Sequence, residues 1–183
     1  MSDMAEYAFF CFSIAGKVES SVMAETIFGF AEIFFFTHDD QIKIDSIETC
    51  SILLEKKEFL PLFFETCLVG SKLLSFLNDG NDRIIEAAIR LIGNATVSDN
   101  SDHVDEFMNY DLLDCIENSH ERHKNNEKRT KDLMWLQCNL ALTSSGIAKL
   151  VANTRLFEVA TDIIGGNTEF NSVGATVESV MQV

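Results

Sequence analysis

The chain has 183 residues, 46% of them hydrophobic, so it is long enough and apolar enough to fold as one domain around a sizeable core. It holds 14 Lys and Arg against 29 Asp and Glu, which gives a formal net charge of −15. A surface of this sign repels phosphate backbones and anionic lipids, so we expect neither a nucleic-acid nor a membrane partner. A basic partner, by contrast, is attracted to it.

The cysteines and the apolar runs point to an intracellular protein. The five cysteines are odd in number and scattered, and they form neither a disulfide framework nor a CxxC metal motif, so we expect reduced, buried thiols. The apolar run "YAFFCFSIAG" follows the acidic "MSDMAE" instead of positive charge and therefore does not predict a signal peptide. The run "IFGFAEIFFF" contains Glu32 and is too short to span a bilayer.

Apolar residues recur at helical spacing along the whole chain. Proline occurs once, at Pro61, strand-like alternation is nearly absent, and stretches such as "DRIIEAAIRLIGNA" are typical of amphipathic helices. Clusters of turn formers and charges separate the predicted helices. In chain order these breaks are "GKVES" (16–20), "THDD" (37–40), "NDGND" (78–82), "VSDNSD" (97–102), "SHERHKNNE" (119–127) and "GGNTE" (165–169).

Four of the predicted helices can be aligned as repeats: "EYAFFCFSIAG", "IKIDSIETCSIL", "IEAAIRLIGNAT" and "TKDLMWLQCNLAL". Their aligned positions are Phe9, Glu48, Arg90 and Trp135, and the residues four further on are Ser13, Ile52, Asn94 and Asn139. The intervals of 39, 42 and 45 residues are close to those of HEAT and armadillo units. We therefore predict an all-α fold, an armadillo/HEAT-type α-solenoid of about four repeats in which neighbouring units bury one another's helical faces.

Two segments resemble the armadillo repeats of importin-α, the adaptor family that reads nuclear localisation signals. They are "AAIRLIGNATVSDN" and "KDLMWLQCNLALTSSGIAKLVANTRLF", which are similar to consecutive repeats in the C-terminal half of that family's array. One repeat of the family carries Arg where its neighbours carry Trp. Arg90-x-x-x-Asn94 followed by Trp135-x-x-x-Asn139 shows that order. The resemblance implies a right-handed superhelix and a single repeat domain over residues 1–183, truncated at both ends.

The resemblance also implies a binding role for these residues. In the family the third helix of each repeat lines a concave groove, where Asn side chains bond an extended basic peptide and Trp rings form slots for Lys and Arg. It marks Trp135 and Asn139 as one such pair, Arg90 and Asn94 as the interrupted neighbour, and Asp132 as the acidic member. An indole face attracts a cation by roughly 0.5 to 2 kcal/mol, and an amide can both donate to and accept from a peptide group.

The implied partners are the basic nuclear-localisation peptides of cargo proteins, bound during protein import into the nucleus. The resemblance implies a location in the cytoplasm and nucleus, no catalysis, no cofactor and no metal. The chain lacks a basic N-terminal stretch of the kind that binds importin-β, so we do not expect that partner. Phe9 with Ser13 and Glu48 with Ile52 depart from the family's pattern, so Trp135 is expected to supply only one wall of a slot.

Each candidate residue also has a structural interpretation. A Trp on a helix, such as Trp135, is often a core residue. Asn94 and Asn139, in register with each other, are also compatible with amides that cap backbone groups. Arg90 is compatible with an ion pair to Glu86, one helical turn earlier.

The alternative function is a degenerate armadillo scaffold for protein–protein interaction without peptide-binding activity, in which Asp132 is an ordinary solvated carboxylate. An enzyme needs a nucleophile, a base and an orienting group, and the histidines all fall in predicted breaks or at helix starts. The segment "CIENSHERH" offers Cys115, His120 and His123, which match no established zinc spacing.

Overall fold

Nine α-helices and no strand make up the described part of the chain. The structure, a computed structural model, describes residues 2–66, 70–97 and 101–142, together with Gly146, Leu150, Asn153 and Leu156. The helices are α1 (Ser2–Ile14), α2 (Ser21–Phe34), α3 (Asp40–Leu54), α4 (Leu60–Thr66), α5 (Gly70–Ser75), α6 (Asp82–Thr96), α7 (Ser101–Asn109), α8 (Leu112–His123) and α9 (Glu127–Ala141). Short 3-10 turns follow α1, α3 and α5.

Four of these helices stack in chain order as successive layers. Helix α1 packs against α3, α3 packs against α6, and α6 packs against α9. These are the four helices that the sequence aligns as repeats, and the remaining helices connect them. One hydrophobic cluster of buried residues runs through all four layers, from Cys11 to Leu156. The prediction of an all-α solenoid is therefore confirmed, since each layer buries a face that it cannot bury alone.

Three of the layer helices begin at a side chain that caps the helix. Asp39 accepts hydrogen bonds from two backbone N–H groups at the start of α3, at 2.9 and 3.2 Å. Asn81 and Asn126 each accept one such hydrogen bond at the starts of α6 and α9, at 3.0 and 3.1 Å. These oxygens satisfy N–H groups that have no partner within the helix. The caps recur at intervals of 42 and 45 residues, the same as the aligned groove positions.

Two helix boundaries differ from the sequence prediction. The predicted break over 119–127 begins too early, because α8 continues to His123 and the chain leaves helical form only before α9. His120 and His123 are therefore helical residues of the last turn of α8. A break that we did not predict lies between α7 and α8, where Asp111 has a φ of 62°. Asp tolerates this left-handed conformation better than most residues. The predicted break at 165–169 lies outside the described residues.

Phenylalanine rings fill the core around α2 and α4. The ring of Phe63 lies 5.4 Å from that of Phe28 and 5.4 Å from that of Phe64, in edge-to-face arrangements.

No single helix among the described residues is long and apolar enough to cross a membrane. The bent pair Lys57–Thr66 and Gly70–Asn78 meets that test only when its two members are taken together. The apolar side chains of this pair include Phe63 and Phe76, which are buried in the core.

We predict that Phe63→Ala destabilises the fold by roughly 3 to 5 kcal/mol, because it removes a buried ring and leaves a cavity beside Phe28 and Phe64. Urea unfolding followed by circular dichroism measures the change. The control is Phe36→Ala, which removes an exposed ring and should alter stability by about 0.5 kcal/mol. Equal effects of the two substitutions would contradict the packing described here.

His120 is a buried imidazole between α8 and α9. It is 6% exposed, and its Nε2 lies 2.7 Å from the Gln137 amide nitrogen, which donates to the neutral ring. Burial disfavours the charged form and lowers the pKa of His120 from 6.5 to about 4. The imidazole is therefore neutral in the folded protein and protonates more readily in the unfolded chain.

This pKa predicts a loss of stability at acidic pH. Between pH 6.5 and pH 4 the unfolded chain binds a proton at His120 that the folded chain does not bind, so stability falls as the pH falls. The contribution of this residue reaches about 3 kcal/mol. Urea unfolding of the native protein and of His120→Gln across this range should show a smaller pH dependence in the variant. Parallel curves for the two proteins would count against a buried neutral imidazole.

Candidate functional site

A cleft opens where the end of α3 meets the exposed sides of α6 and α9. It encloses about 350 Å³. Four of the five predicted site residues line it, and the fifth, Asn139, does not. The lining residues are Glu55 from α3's C-terminal end, Glu86, Ile89, Arg90 and Asn94 from α6, and Asp132 and Trp135 from α9. Stacking of consecutive layers thus brings together groups that are far apart in sequence.

Trp135 stands on the surface of α9 and leans over α6. Its side chain is 41% exposed, so it is not a core residue. A Cβ atom placed on Gly93 would lie 2.2 Å from Trp135 Cζ3 and 2.5 Å from Cη2. The ring edge therefore lies directly over a stretch of backbone that only glycine leaves open. One side of the indole is supported by α6 while the ring also borders the cleft.

Two asparagines tie α6 and α9 to the layer that precedes each of them. The Asn94 amide nitrogen donates to the Ser51 carbonyl at 3.0 Å and to the Ser51 hydroxyl at 3.2 Å. The Asn139 amide nitrogen donates to the Gly93 carbonyl at 3.2 Å. Asn139 is buried, whereas Asn94 is half-buried and also borders the cleft. Both amides therefore have a structural role, and Asn94 alone of the two reaches the cleft.

Glu86 is held by a lysine that crosses from the next layer. Lys128 Nζ lies 2.7 Å from Glu86 Oε2, and Arg90 Nη2 lies 4.0 Å from Glu86 Oε1. The hydrogen bond from Lys128 lowers the pKa of Glu86 below its ordinary value, although partial burial opposes the shift. Arg90 has an exposed side chain, and the 4.0 Å contact with Glu86 is its one ion pair within the described part of the chain, so it presents positive charge to the cleft.

Asp132 is a weakly neutralised carboxylate of the cleft. Its Oδ2 is buried, has no hydrogen-bond donor among the described residues, and lies 3.8 Å from Arg129 Nη1. Burial raises the pKa of Asp132 above its ordinary value, and the charge of Arg129 offsets part of that rise. Arg129 is itself 4% exposed and is held by a 2.8 Å hydrogen bond to the Asp82 carbonyl. A donor entering the cleft would stabilise the charged form of Asp132.

Sequence reasoning missed three contributors to this cleft. Glu55 follows the last turn of α3, outside the aligned helix positions, and no local pattern marks it. Lys128 reaches Glu86 across 42 residues of sequence, and Gly93 matters because of a ring from the next layer. The available sequence signal was the spacing between Lys128 and Glu86. It is about one repeat, and a separation of one repeat places two residues at equivalent positions of neighbouring layers.

The remaining sequence candidates lie apart from the cleft. Phe9 and Glu48, at the aligned positions of α1 and α3, do not line it. His120 is hydrogen-bonded to the Gln137 side chain. A group of three or more His, Cys, Asp or Glu side chains placed to hold a metal ion is not found within the described ranges.

Solved structures of repeat proteins share this architecture. A designed armadillo-repeat protein, solved in complex with the peptide (KR)4, superposes with a TM-score of 0.81 at 13% identity, over 96% of this chain and 74% of that one. The fold is an armadillo-type α-solenoid. An engineered protein superposes with a TM-score of 0.75 at 12% identity, over 94% of this chain and 72% of that one. Computationally designed armadillo-repeat proteins for modular peptide recognition superpose with a TM-score of 0.67 at 13% identity, over 84% of this chain and 63% of that one. No protein-family model and no curated protein matches the sequence.

We predict that Gly93→Ala pushes the Trp135 ring off α6, because the new methyl group cannot occupy a position 2.2 Å from the ring. Trp135 is the only tryptophan, so its fluorescence reports the change directly, and we expect emission at longer wavelength as the ring becomes more hydrated. Gly80→Ala is the matched control, since a Cβ at that position meets nothing within 4 Å. Identical spectra for native protein and Gly93→Ala would contradict this placement of the ring.

Proposed function

We propose that this chain is a peptide-binding module that takes an extended basic peptide across the cleft at Trp135. The observation that carries the proposal is the exposed indole beside three carboxylates, Glu55, Glu86 and Asp132, in one cleft. A Lys or Arg stem can lie along the indole face while its charged end approaches the carboxylates. The net charge of −15 adds long-range attraction for a basic ligand.

Asp132 is the proposed anchor for the cation. Its side chain is 29% exposed and lines the cleft, and its nearest cation, Arg129 Nη1, lies 3.8 Å away, so an ammonium or guanidinium can approach the carboxylate from the cleft. Glu86 can bind an incoming cation only if that cation displaces Lys128, its present ion-pair partner. Arg90 repels a second cation at the neighbouring position, so the ligand's basic residue is placed on the Trp135 side of the cleft. Asn94 borders the same edge, although its amide nitrogen already donates to Ser51.

We further propose that the ligand is a nuclear-localisation peptide and that the chain acts in nuclear import, in the cytoplasm and nucleus. The support for this finer step is the importin-α resemblance of the segments around Asn94 and Trp135. The solved neighbour bound to (KR)4 supports only the general idea that an armadillo-type surface can hold a basic peptide. Catalysis forms no part of the proposal.

A scaffold with an inactive groove is the second candidate. It is favoured because several polar groups at or near the cleft already have partners within the protein. The Asn94 and Asn139 nitrogens donate to the preceding layers, and Glu86 is paired with Lys128. In that case the cleft is an internally balanced surface, and folded proteins are the partners.

The two candidates differ in how they respond to a labelled (Lys-Arg)4 peptide, measured by fluorescence anisotropy. The peptide-binding proposal expects salt-sensitive binding that weakens roughly 2- to 30-fold in Trp135→Ala, the range that a lost cation–π contact gives. Lys128→Ala should strengthen binding, because it releases Glu86 from its internal partner. No binding at low salt would instead support the scaffold.

Tyr110→Ala is the matched control for Trp135→Ala. Tyr110 is 43% exposed and its ring also lies over a glycine, Gly70, yet it does not line the cleft. The two substitutions therefore remove similar aromatic surface at different places. An equal loss of affinity in both variants, or weaker binding in Lys128→Ala, would count against the cleft as the binding site.

A further inference from the structure

The first layer carries a large exposed apolar surface that is separate from the cleft. We define the first-layer face by Tyr7 and Phe10 of α1 and by Met23, Phe30 and Ile33 of α2, all of them exposed. The Tyr7 and Phe30 ring centroids lie 5.6 Å apart, so the two helices present one continuous patch. Contiguous exposed apolar patches of this kind usually mark an interaction surface.

The repeat register shows that this face has the chemistry of a buried layer. The positions equivalent to Tyr7 and Phe10 in α3, α6 and α9 are no more than 2% exposed, whereas Tyr7 and Phe10 are 54% and 57% exposed. The equivalents of Tyr7 are Ser46, Ala88 and Leu133, and those of Phe10 are Thr49, Leu91 and Leu136. The first layer replaces these residues with bulky aromatic rings. Ordinary surface positions do not require such side chains.

Helix α2 continues the patch with a regular stripe. Met23, Phe30 and Ile33 are spaced seven and three residues apart, which places them on one side of the helix. The opposite side of α2 is buried against the core through Ala24, Phe28 and other residues. Bulky side chains on two adjacent helices form the kind of surface into which an amphipathic helix of a partner can dock.

Charge decides which kind of partner fits. Helices α1 and α2 contain no Lys or Arg, and their charged residues are all acidic. Glu6 lies one turn before Phe10 on α1, whereas Glu25 and Glu32 follow Met23 and Phe30 by two residues and so lie on a different side of α2 from those two. A carboxylate therefore borders the patch on α1, and α2 adds negative charge without placing it next to Met23 and Phe30. A second copy of this chain would oppose carboxylates to carboxylates, which disfavours self-association through this face.

We propose that the first-layer face binds an amphipathic helix of another protein, one whose bulky apolar stripe is flanked by Lys and Arg. The apolar stripe covers the exposed rings, one basic flank pairs with Glu6, and α1 and α2 contain no Lys or Arg that would repel the other flank. This site is independent of the cleft at Trp135, since none of its five residues lines that cleft. The chain would then hold two basic partners, one extended and one helical.

The test uses two synthetic peptides of about 18 residues, or five helical turns. Both carry the same Leu stripe, one with Lys flanks and the other with Glu flanks. Fluorescence anisotropy should show binding of the Lys-flanked peptide only. The double variant Tyr7→Ser with Phe10→Ser should weaken that binding about tenfold or more. Both residues are exposed, so the variant is expected to fold, which circular dichroism checks.

Two control variants show whether the helical peptide binds at this face. Leu142→Ser removes an exposed apolar side chain after α9 and should leave the affinity unchanged. Trp135→Ala should also bind the helical peptide normally, so a failed peptide cleft and a failed first-layer face give different results. Equal binding of both peptides, binding that survives the double variant, or no binding at all would overturn the proposal. Sedimentation velocity completes the test. A native dimer that becomes monomeric in the double variant would assign the face to a second copy instead.

Discussion

The stacking of one layer helix on the next is the interaction on which the rest of this structure depends. Each of α3, α6 and α9 buries a stripe of side chains against the layer before it, and the Asn94 and Asn139 amides bond the preceding backbone. Buried amide donors need partners, so these two bonds favour one register between layers over others. The cleft is a consequence of that register, because its walls come from three different layers.

The cleft is electrically balanced despite the strongly acidic composition of the chain. Its three carboxylates face the exposed charge of Arg90, and Lys128 and Arg129 approach from α9. Most of the excess negative charge therefore lies elsewhere. Recognition of a cation here would depend less on bulk charge than on geometry: which carboxylate is unpaired and which face of the indole is open. Glu55, which has no ion pair among the described residues, Asp132, whose nearest cation lies 3.8 Å away, and Trp135 are the groups that meet those conditions.

Much of the fold could be predicted from the sequence because the relevant signals are local and periodic. The caps Asp39, Asn81 and Asn126 and the aligned groove positions recur at matching intervals, and those intervals locate the layers. The ion pair between Lys128 and Glu86 could not be predicted in the same way. It depends on how far α9 is displaced along α6, and side-chain length allows several pairings at one displacement.

Two further differences have physical reasons. The run "SHERHKNNE" resembles a loop because it is charged, yet its first five residues complete α8, with His120 pointing inward to Gln137. The position of Gly93 was part of the aligned segment, but a glycine within a helix gives no sign of what approaches it. The repeat spacing gave Asn94 and Asn139 the same predicted role, but their exposure differs. Asn94 borders the cleft, whereas Asn139 is buried and does not line it.

The asparagine bonds have a direction, and that direction bears on how such a chain can grow by duplication. Each of the two amides donates to the layer before it, so α6 and α9 each supply the hydrogen bond on their own N-terminal side, whereas Ile52, the equivalent residue in α3, has no amide. Ser13, the equivalent residue in α1, instead bonds the Phe10 carbonyl within its own helix. A copy of the α6 or α9 unit inserted after either helix would bring its own amide. A backbone carbonyl of the preceding helix could then accept its hydrogen bond. Lengthening on that side requires no change in the older layers, and α3, which packs on α1 with Ile52 at this position, shows that a layer can also stack without the amide.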